Sequence, residues 1–575
     1  MALLLVALTL LGPSGTAPSP IALHDKLAGQ WARHMRVDGR WVDPYTGIVA
    51  PGYGTVMIAA ALVETAARSD DPALDGRALR AATAVTRRDP RFAGVFEQWA
   101  TARIYTLLRA ERLPGSDGVL PPLARHIEEF SSPYVDPHGG ECYRSPACYS
   151  NHEMVEAAAD RRLLATGLTS PRAGAKLHDR AALARHVDGF LAGVPAAFVA
   201  GHTERGQEGG LLSDTNAWPL AYHGLSTMFL AELVDSDSPA PLRATLARAR
   251  DGICLAAGPD GDLSYNGARQ GQAWVSAVAF SALGSAGPCP DVRAALWRRL
   301  NAYGFGRIGL NSTMRFRDGA SDYYALDGDV VTTNALVLSA LSLAAESDGD
   351  QRSISLGVRR SYPSWYSLDR PGWGVARSSN VWMAVRRRAR YPRSPSARMD
   401  LRYDAGVVAL KYRDGAHWID LLRPRPRTVD GGTPAGPMLL GAEPQLPDGT
   451  LTYRNGAVIL DGRFTGRSGT RGRHVRIVYR MTADGMRASM RVRRGERIRL
   501  GFFLAHGRYR ATVGRVEAPT STVSVTPAAR FAAQGGYASC CDRHLDDVST
   551  TVAFDRPGRL EWSVTAGASL PGPSL

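Results

Sequence analysis

Lysine is almost missing from this 575-residue chain. It occurs only at Lys26, Lys176 and Lys411, so the 69 basic residues are nearly all arginine, and they outnumber the 54 acidic ones to give a formal charge of +15. With 44% hydrophobic residues, disorder is not the default, and the length allows two or three domains with their own cores. A basic excess suits a polyanion, whether nucleic acid, an anionic membrane surface or an acidic polysaccharide. Arginine in place of lysine, with abundant Ala and Gly, is equally what a biased coding composition produces. The charge therefore has an unspecific reading beside the specific one.

Long apolar runs are scarce as well. The one at the N-terminus, Leu3 to Leu11, is followed by a small-residue stretch at Gly15-Thr16-Ala17. It has the length of a signal-peptide core and about half that of a membrane span, although the usual positive n-region is missing. No later segment is apolar enough to cross a bilayer. The expectation is a signal peptide over 1–19 and a mature chain that is secreted, extracellular and soluble.

Cysteine is limited to six residues, an even number that fits an oxidising compartment. Proximity favours Cys142 with Cys148 and leaves Cys254 with Cys289 as a second bridge. A bond between the adjacent Cys540 and Cys541 would be strained. A Walker loop, an HExxH helix and a Cys/His set with zinc spacing are all absent from the sequence, and no cofactor is expected. His417 and His544 stand isolated.

What the chain does have is texture. Over 20–348, apolar residues recur at three- and four-residue intervals, as in Thr55 to Arg68, Gly94 to Ala110, His152 to Gly167, Asp179 to Val194, Leu225 to Val234 and Thr332 to Ala345. About ten to twelve helices in consecutive pairs suggest an α/α toroid or a helical solenoid. A polar linker is expected at Glu346 to Ser353. Beyond it the period falls to two: Ile498, Leu500, Phe502 and Leu504 share one strand face, and Ala488, Met490 and Val492 oppose Arg487, Ser489, Arg491 and Arg493. Val381 to Arg388, Gly406 to Asp414, His417 to Leu422, Val475 to Met481 and Arg559 to Val564 read likewise. The expected fold is multidomain, α then β: a toroid over 20–348, then an antiparallel β-sandwich over 349–575.

Chemistry concentrates in Glu141 to Leu164, ECYRSPACYSNHEMVEAAADRRLL. Ser150 to Glu153 reads as a capping box, which puts Asn151 and His152 in the first helical turn. There the free N–H groups and the helix dipole attract an anion and favour a neutral imidazole. Eliminating across a uronate needs its carboxylate neutralised, the C5 proton removed and the leaving glycosidic oxygen protonated. Asn151 suits the first task and His152 the second. A Cys142–Cys148 bridge would pin the entering loop.

An Asn-His pair opening a helix, a Tyr segment some 70 residues on, and helices leading into strands together resemble the polysaccharide lyases with α/α toroids. These include the alginate, hyaluronate and chondroitin lyases and the heparinase II/III-like enzymes. The resemblance implies that Tyr222, in Trp218 to Leu233, protonates the leaving oxygen or serves as both base and acid. It leaves room for a structural metal in the β-region. His223, Trp218 and Tyr265 are candidate substrate-binding residues, Trp218 as a stacking platform. Such lyases carry an Arg near the catalytic Tyr; none closely follows Tyr222, and Arg269 and Arg205 compete for the role. The expected partner is an anionic polysaccharide rather than nucleic acid. Two rivals stand beside this reading. One is a glycoside hydrolase drawing its carboxylates from Glu153, Glu208, Asp214 and Asp262; the other is a non-catalytic carbohydrate-binding protein.

Overall fold

Ser19 opens the first helix by accepting the Ala22 N–H, with Pro20 in the first turn, and Asp71 with Pro72 does the same for the third. The computed structural model describes residues 19–42, 49, 52–130, 151–168, 180–212, 220–263, 265, 273–285, 287–302, 329–348, 361–369, 372–387, 405–423, 436–466, 468–539 and 543–567. Among these residues are twelve α-helices. They are α1 (Pro20–Arg33), α2 (Tyr53–Ala67), α3 (Pro72–Val85), α4 (Val95–Glu111), α5 (Leu120–Glu128), α6 (Asn151–Thr166), α7 (Arg180–Gly193), α8 (Leu220–Leu233), α9 (Ala240–Ala256), α10 (Ala273–Leu283), α11 (Pro290–Ala302) and α12 (Asp329–Asp348).

The even-numbered helices form a closed circuit: α2 packs on α4, α4 on α6, and so on through α8 and α10 to α12, which returns to α2. The odd-numbered helices pack on this circuit, each against the even helix next to it in the chain. Composition follows position. In α2 and α10 nearly every side chain is buried, as a helix enclosed on several sides requires.

Side-chain contacts fix the direction of the ring helices. Phe96 meets His152 near the starts of α4 and α6, and Arg109 reaches the Thr166 carbonyl at their ends. Gly54 lies against Thr332, and ten residues further along each helix Ser342 donates to Glu64 at 2.5 Å. Tyr53 stacks on Phe96, and Arg103 further along α4 pairs with Glu64. Tyr222 meets Trp274, and two residues on Gly224 abuts Val278. With the α6–α8 contacts given below, all six helices run the same way and start at one end of the ring.

Two antiparallel sheets follow. The first joins seven strands in the order β2-β1-β3-β4-β5-β6-β7: β1 (Phe198–Thr203), β2 (Gly206–Leu212), β3 (Trp365–Leu368), β4 (Trp373–Arg377), β5 (Val381–Arg386), β6 (Gly406–Asp414) and β7 (His417–Leu422). The second has twelve: β8 (Gly436–Leu439), β9 (Gln445–Arg454), β10 (Ala457–Gly466), β11 (Arg471–Met481), β12 (Gly485–Val492), β13 (Arg497–Ala505), β14 (Arg510–Thr512), β15 (Arg515–Glu517), β16 (Ser521–Thr526), β17 (Phe531–Ser539), β18 (Arg543–Ala553) and β19 (Gly558–Ala566).

The first sheet is the middle layer. On β5, Trp382 and Ala384 join the helical core, while Val381, Met383 and Val385 join the core shared with the second sheet. Both faces are therefore apolar, which is why Val381 to Val385 reads as a continuous run rather than an alternation. The second sheet alternates as expected on β12, where Ala488, Met490 and Val492 are buried and Arg487 and Arg491 exposed.

Two expectations need correction. The helical stretch is interrupted by the β1–β2 hairpin, which joins the first sheet through β3. The linker expected from Glu346 begins inside α12, where Glu346 pairs with Arg103. Of the expected disulfides, Cys254–Cys289 is formed; Cys142, Cys148, Cys540 and Cys541 lie outside the described residues.

The hairpin packs on α9 through glycines. A Cβ built on Gly252 would overlap the Gly210 carbonyl, and Gly209 (φ +59°) sits beside it in a left-handed conformation. Gly252→Ala should cost about 1–3 kcal/mol by overpacking this crossing, read as a lower denaturant midpoint at unchanged slope.

Candidate active site

Asn151 is the first residue of α6, 7% exposed, with half-buried His152 next to it. Their partner helix is α8. At the far end of the pair, Arg161 reaches the Leu233 carbonyl and Arg162 bonds Glu232 at 2.5 Å. His152 and Tyr222 each lie ten residues back from the Arg162–Glu232 bond, so parallel helices bring them to the same level. Neighbouring helix axes are about 8–10 Å apart. Asn151, His152 and Tyr222 thus share one rim.

Other rings complete that rim. The His152 ring stands edge-on to Phe96 with centroids 5.5 Å apart, Phe96 stacks on Tyr53 at 4.4 Å, and Tyr222 tilts against Trp274 at 6.0 Å. Phe96 and Trp274 are buried, while Tyr53, His152 and Tyr222 are half-buried above them. Tyr53, Phe96 and Trp274 were not among the sequence candidates. Their signal is an aromatic within the first two positions of α2, α4 and α10, visible only once the ring shows that those starts meet. Six parallel helix starts also direct their unpaired N–H groups and positive dipole ends to this side. The rim can therefore stack sugar faces and attract an anion.

The remaining candidates are not brought there. His223 is 1% exposed; its Nδ1 accepts the Leu212 N–H at 3.1 Å and its Nε2 donates to the Ala249 carbonyl at 3.0 Å. Both nitrogens serve the main chain, so His223 joins α8, β2 and α9 and is not a substrate ligand. Tyr265 is likewise buried, donating to the Ala256 carbonyl at 2.7 Å and wedged between Trp373 and Trp382 where helices meet sheet. Arg205 sits exposed in the β1–β2 turn. Six strand residues separate that turn from Leu212 beside α8, or about 20 Å, too far for it to support Tyr222. Trp218 and Arg269 lie outside the described residues. Of the carboxylates a hydrolase would use, Asp262 is buried and paired with Arg299 and Lys411.

One group escaped the sequence reading. Glu156 and Asp160, one turn apart on α6, meet His186 of α7 with ligand atoms within 4.8 Å of one another. Burial pushes the Asp160 carboxyl up to about 7.

Burial also draws His223 down to about 4, against an ordinary value of 6.5. The unfolded chain then takes up the proton first as pH falls. The stability contributed by the neutral ring is complete above about pH 6.5 and is lost toward about pH 4, roughly 3 kcal/mol in all. His223→Gln should flatten the dependence of Tm on pH across that window.

A closed ring of parallel helices leading into antiparallel sheets, with a polar and aromatic rim at the helix starts, defines the class of architecture. Among solved structures, the chain is similar to the chondroitin AC lyase of Streptomyces coelicolor A3, solved with chondroitin sulphate, at TM-score 0.53 and 12% identity over 96% of this chain and 79% of that one. It also matches the heparan sulfate lyase HepC of Pedobacter heparinus (TM-score 0.43, 8% identity, 96% and 84% covered). The α-1,6-mannanase GH76A of Salegentibacter sp. HEL1_6 matches a smaller part (TM-score 0.36, 11% identity, 57% and 100% covered). The likeness to the chondroitin AC lyase spans nearly the whole chain and is one of fold. No family model matches the chain, and no curated protein matches it in sequence.

Proposed function

We propose that the chain is an exported polysaccharide lyase, built as an α/α toroid with a β-sandwich, that cleaves a uronate-containing polysaccharide by β-elimination. One observation carries the reading: Asn151, His152 and Tyr222 stand level on adjacent parallel helices, at the end of the ring where the helix starts converge. The Asn151 amide donates to the uronate carboxylate and, with the helix-start dipoles, stabilises the negative charge that builds up as C5 loses its proton. His152 takes that proton and Tyr222 returns one to the glycosidic oxygen, leaving a C4–C5 double bond. The half-buried Tyr53 ring and the apolar rings beneath the rim support the sugar faces. Export is carried by the apolar stretch Leu3 to Leu11, and no described helix is long and apolar enough to cross a membrane.

Digestion of alginate, hyaluronan, chondroitin, heparan, glucuronan and plant-gum polymers tests this directly. Ultraviolet absorbance should grow with at least one of them, because elimination conjugates the new double bond with the carboxylate. New reducing ends without absorbance would mean hydrolysis and overturn the reading.

A further inference from the structure

Away from the rim, a cleft of about 300 Å³ opens between the end of α9, the start of α11 and strands β4 to β7. This is the lower end of the size range of small-molecule sites, roughly 300–1,000 Å³. Its walls carry the guanidinium groups of Arg298, Arg377 and Arg413 and the rings of Tyr362, Trp382 and Trp418. None of the rim residues lines it.

Arg377 is the unusual member. Its Nη2 donates to the Leu255 carbonyl and, at 3.4 Å, to that of Ala257; the guanidinium lies 5.5 Å from the Tyr362 ring centre; and its Nη1 is buried with no hydrogen-bond partner among the described residues. Arg413 donates to the Gly415 carbonyl, and Arg298 is exposed at the cleft wall. Among the described residues none of the three forms an ion pair. Among the described residues the only lining carboxylate, Asp291, accepts the Tyr362 hydroxyl at 2.8 Å. Burial without a paired carboxylate draws Arg377 down to about 10, a pull that Tyr265, Tyr362, Tyr366 and Glu204 offset only in part.

A half-buried guanidinium with one nitrogen shut away from water, held by carbonyl oxygens and a ring face rather than by a carboxylate, is costly unless a counter-charge arrives. A planar guanidinium fork matches a carboxylate or sulfate, and indole and phenol rings present flat apolar faces to the C–H face of a sugar. From this we infer that the cleft is a second binding site for one acidic sugar unit, a pyranose bearing a carboxylate or a sulfate. The inference takes the class of polymer from the proposed lyase reading and the place of binding from the cleft.

Calorimetric titration of the full chain carrying Asn151→Ala, which should bind without cleaving, tests it. The probes are tetrasaccharides of chondroitin sulfate, hyaluronan, heparan sulfate and alginate, with neutral mannotetraose and inorganic sulfate as controls. At least one acidic tetrasaccharide should bind at two sites. Adding Arg298→Ala and Arg413→Ala, both at the surface, should weaken one site at least tenfold at unchanged Tm. Arg377→Lys, which keeps the charge and loses the fork, should weaken the same site. Isotherms unmoved by these changes, no acidic tetrasaccharide binding at all, or sulfate alone binding the cleft as tightly as the saccharide would each overturn the inference. A chain that eliminates no uronate polymer yet binds a tetrasaccharide through these arginines would sink the lyase reading and leave this one standing.

Discussion

Asn151→Ala is expected to lower turnover on the responsive uronate polymer by about 10²–10³-fold, the usual effect of removing one donor aimed at developing charge. The fall should sit in kcat more than in KM, because the amide matters most when the C5 proton leaves and charge moves onto the carboxylate. The fold should survive. Asn151 is the first residue of α6, where alanine is a good helix former. Asn151→Asp sharpens the test. It keeps the size of the side chain and its fit at a helix start, yet sets one carboxylate against another, so it should be at least as inactive as alanine with a Tm near that of the parent. Near-parental turnover in either variant would remove Asn151 from the reaction.

How this rim could be found in the sequence differs from residue to residue. Asn151 and His152 were legible because capping is local: a helix start announces itself within four residues. The strands were legible where one face is solvated, as on β12, where buried Ala488, Met490 and Val492 alternate with exposed Arg487 and Arg491; β13 and β6 keep the bounds of their apolar runs. The β1–β2 hairpin was not, since its edge is completed by β3, more than 150 residues away. Ring closure was hidden for the same reason: α2 and α12 stand at opposite ends of the helical stretch, and nothing local says that Gly54 will meet Thr332. Without that closure, Phe96 and Trp274 are ordinary apolar residues of core helices. His223 and Tyr265 misled in the opposite direction. A polar ring near a candidate Tyr, or in a Gly-broken loop, reads as a ligand until the structure shows its nitrogen or hydroxyl committed to a main-chain partner.

Lys411→Met is expected to cost about 3–5 kcal/mol, the usual consequence of removing one partner from a buried ionic cluster. Here the scarcity of lysine acquires a meaning, because one of only three in the chain is 1% exposed at the joint between helices and sheet. Its Nζ, on β6, lies 2.5 Å from Asp420 of β7, 2.9 Å from Asp260 and 3.6 Å from Asp262, both in the segment after α9. Arg299 of α11 reaches the same two aspartates at 3.2 and 3.5 Å, and Arg423 lies 3.4 Å from Asp420, so three cations face three carboxylates. Removing the central cation leaves Asp262, 4% exposed, and Asp420, 10% exposed, with their charge largely shut away from water. The deficit should narrow in acid, where protonation removes the charge left behind, and chemical unfolding at pH 7 and pH 4.5 would show it. Lys411→Arg should not restore full stability, because a planar fork cannot place one point charge among three carboxylates arriving from two segments. The cluster fastens the β6–β7 end of the first sheet to the α9–α11 face that walls the arginine cleft. Acidic saccharide binding there should therefore weaken in Lys411→Met even under conditions where the chain remains folded, whereas a cluster serving stability alone would leave that affinity unchanged.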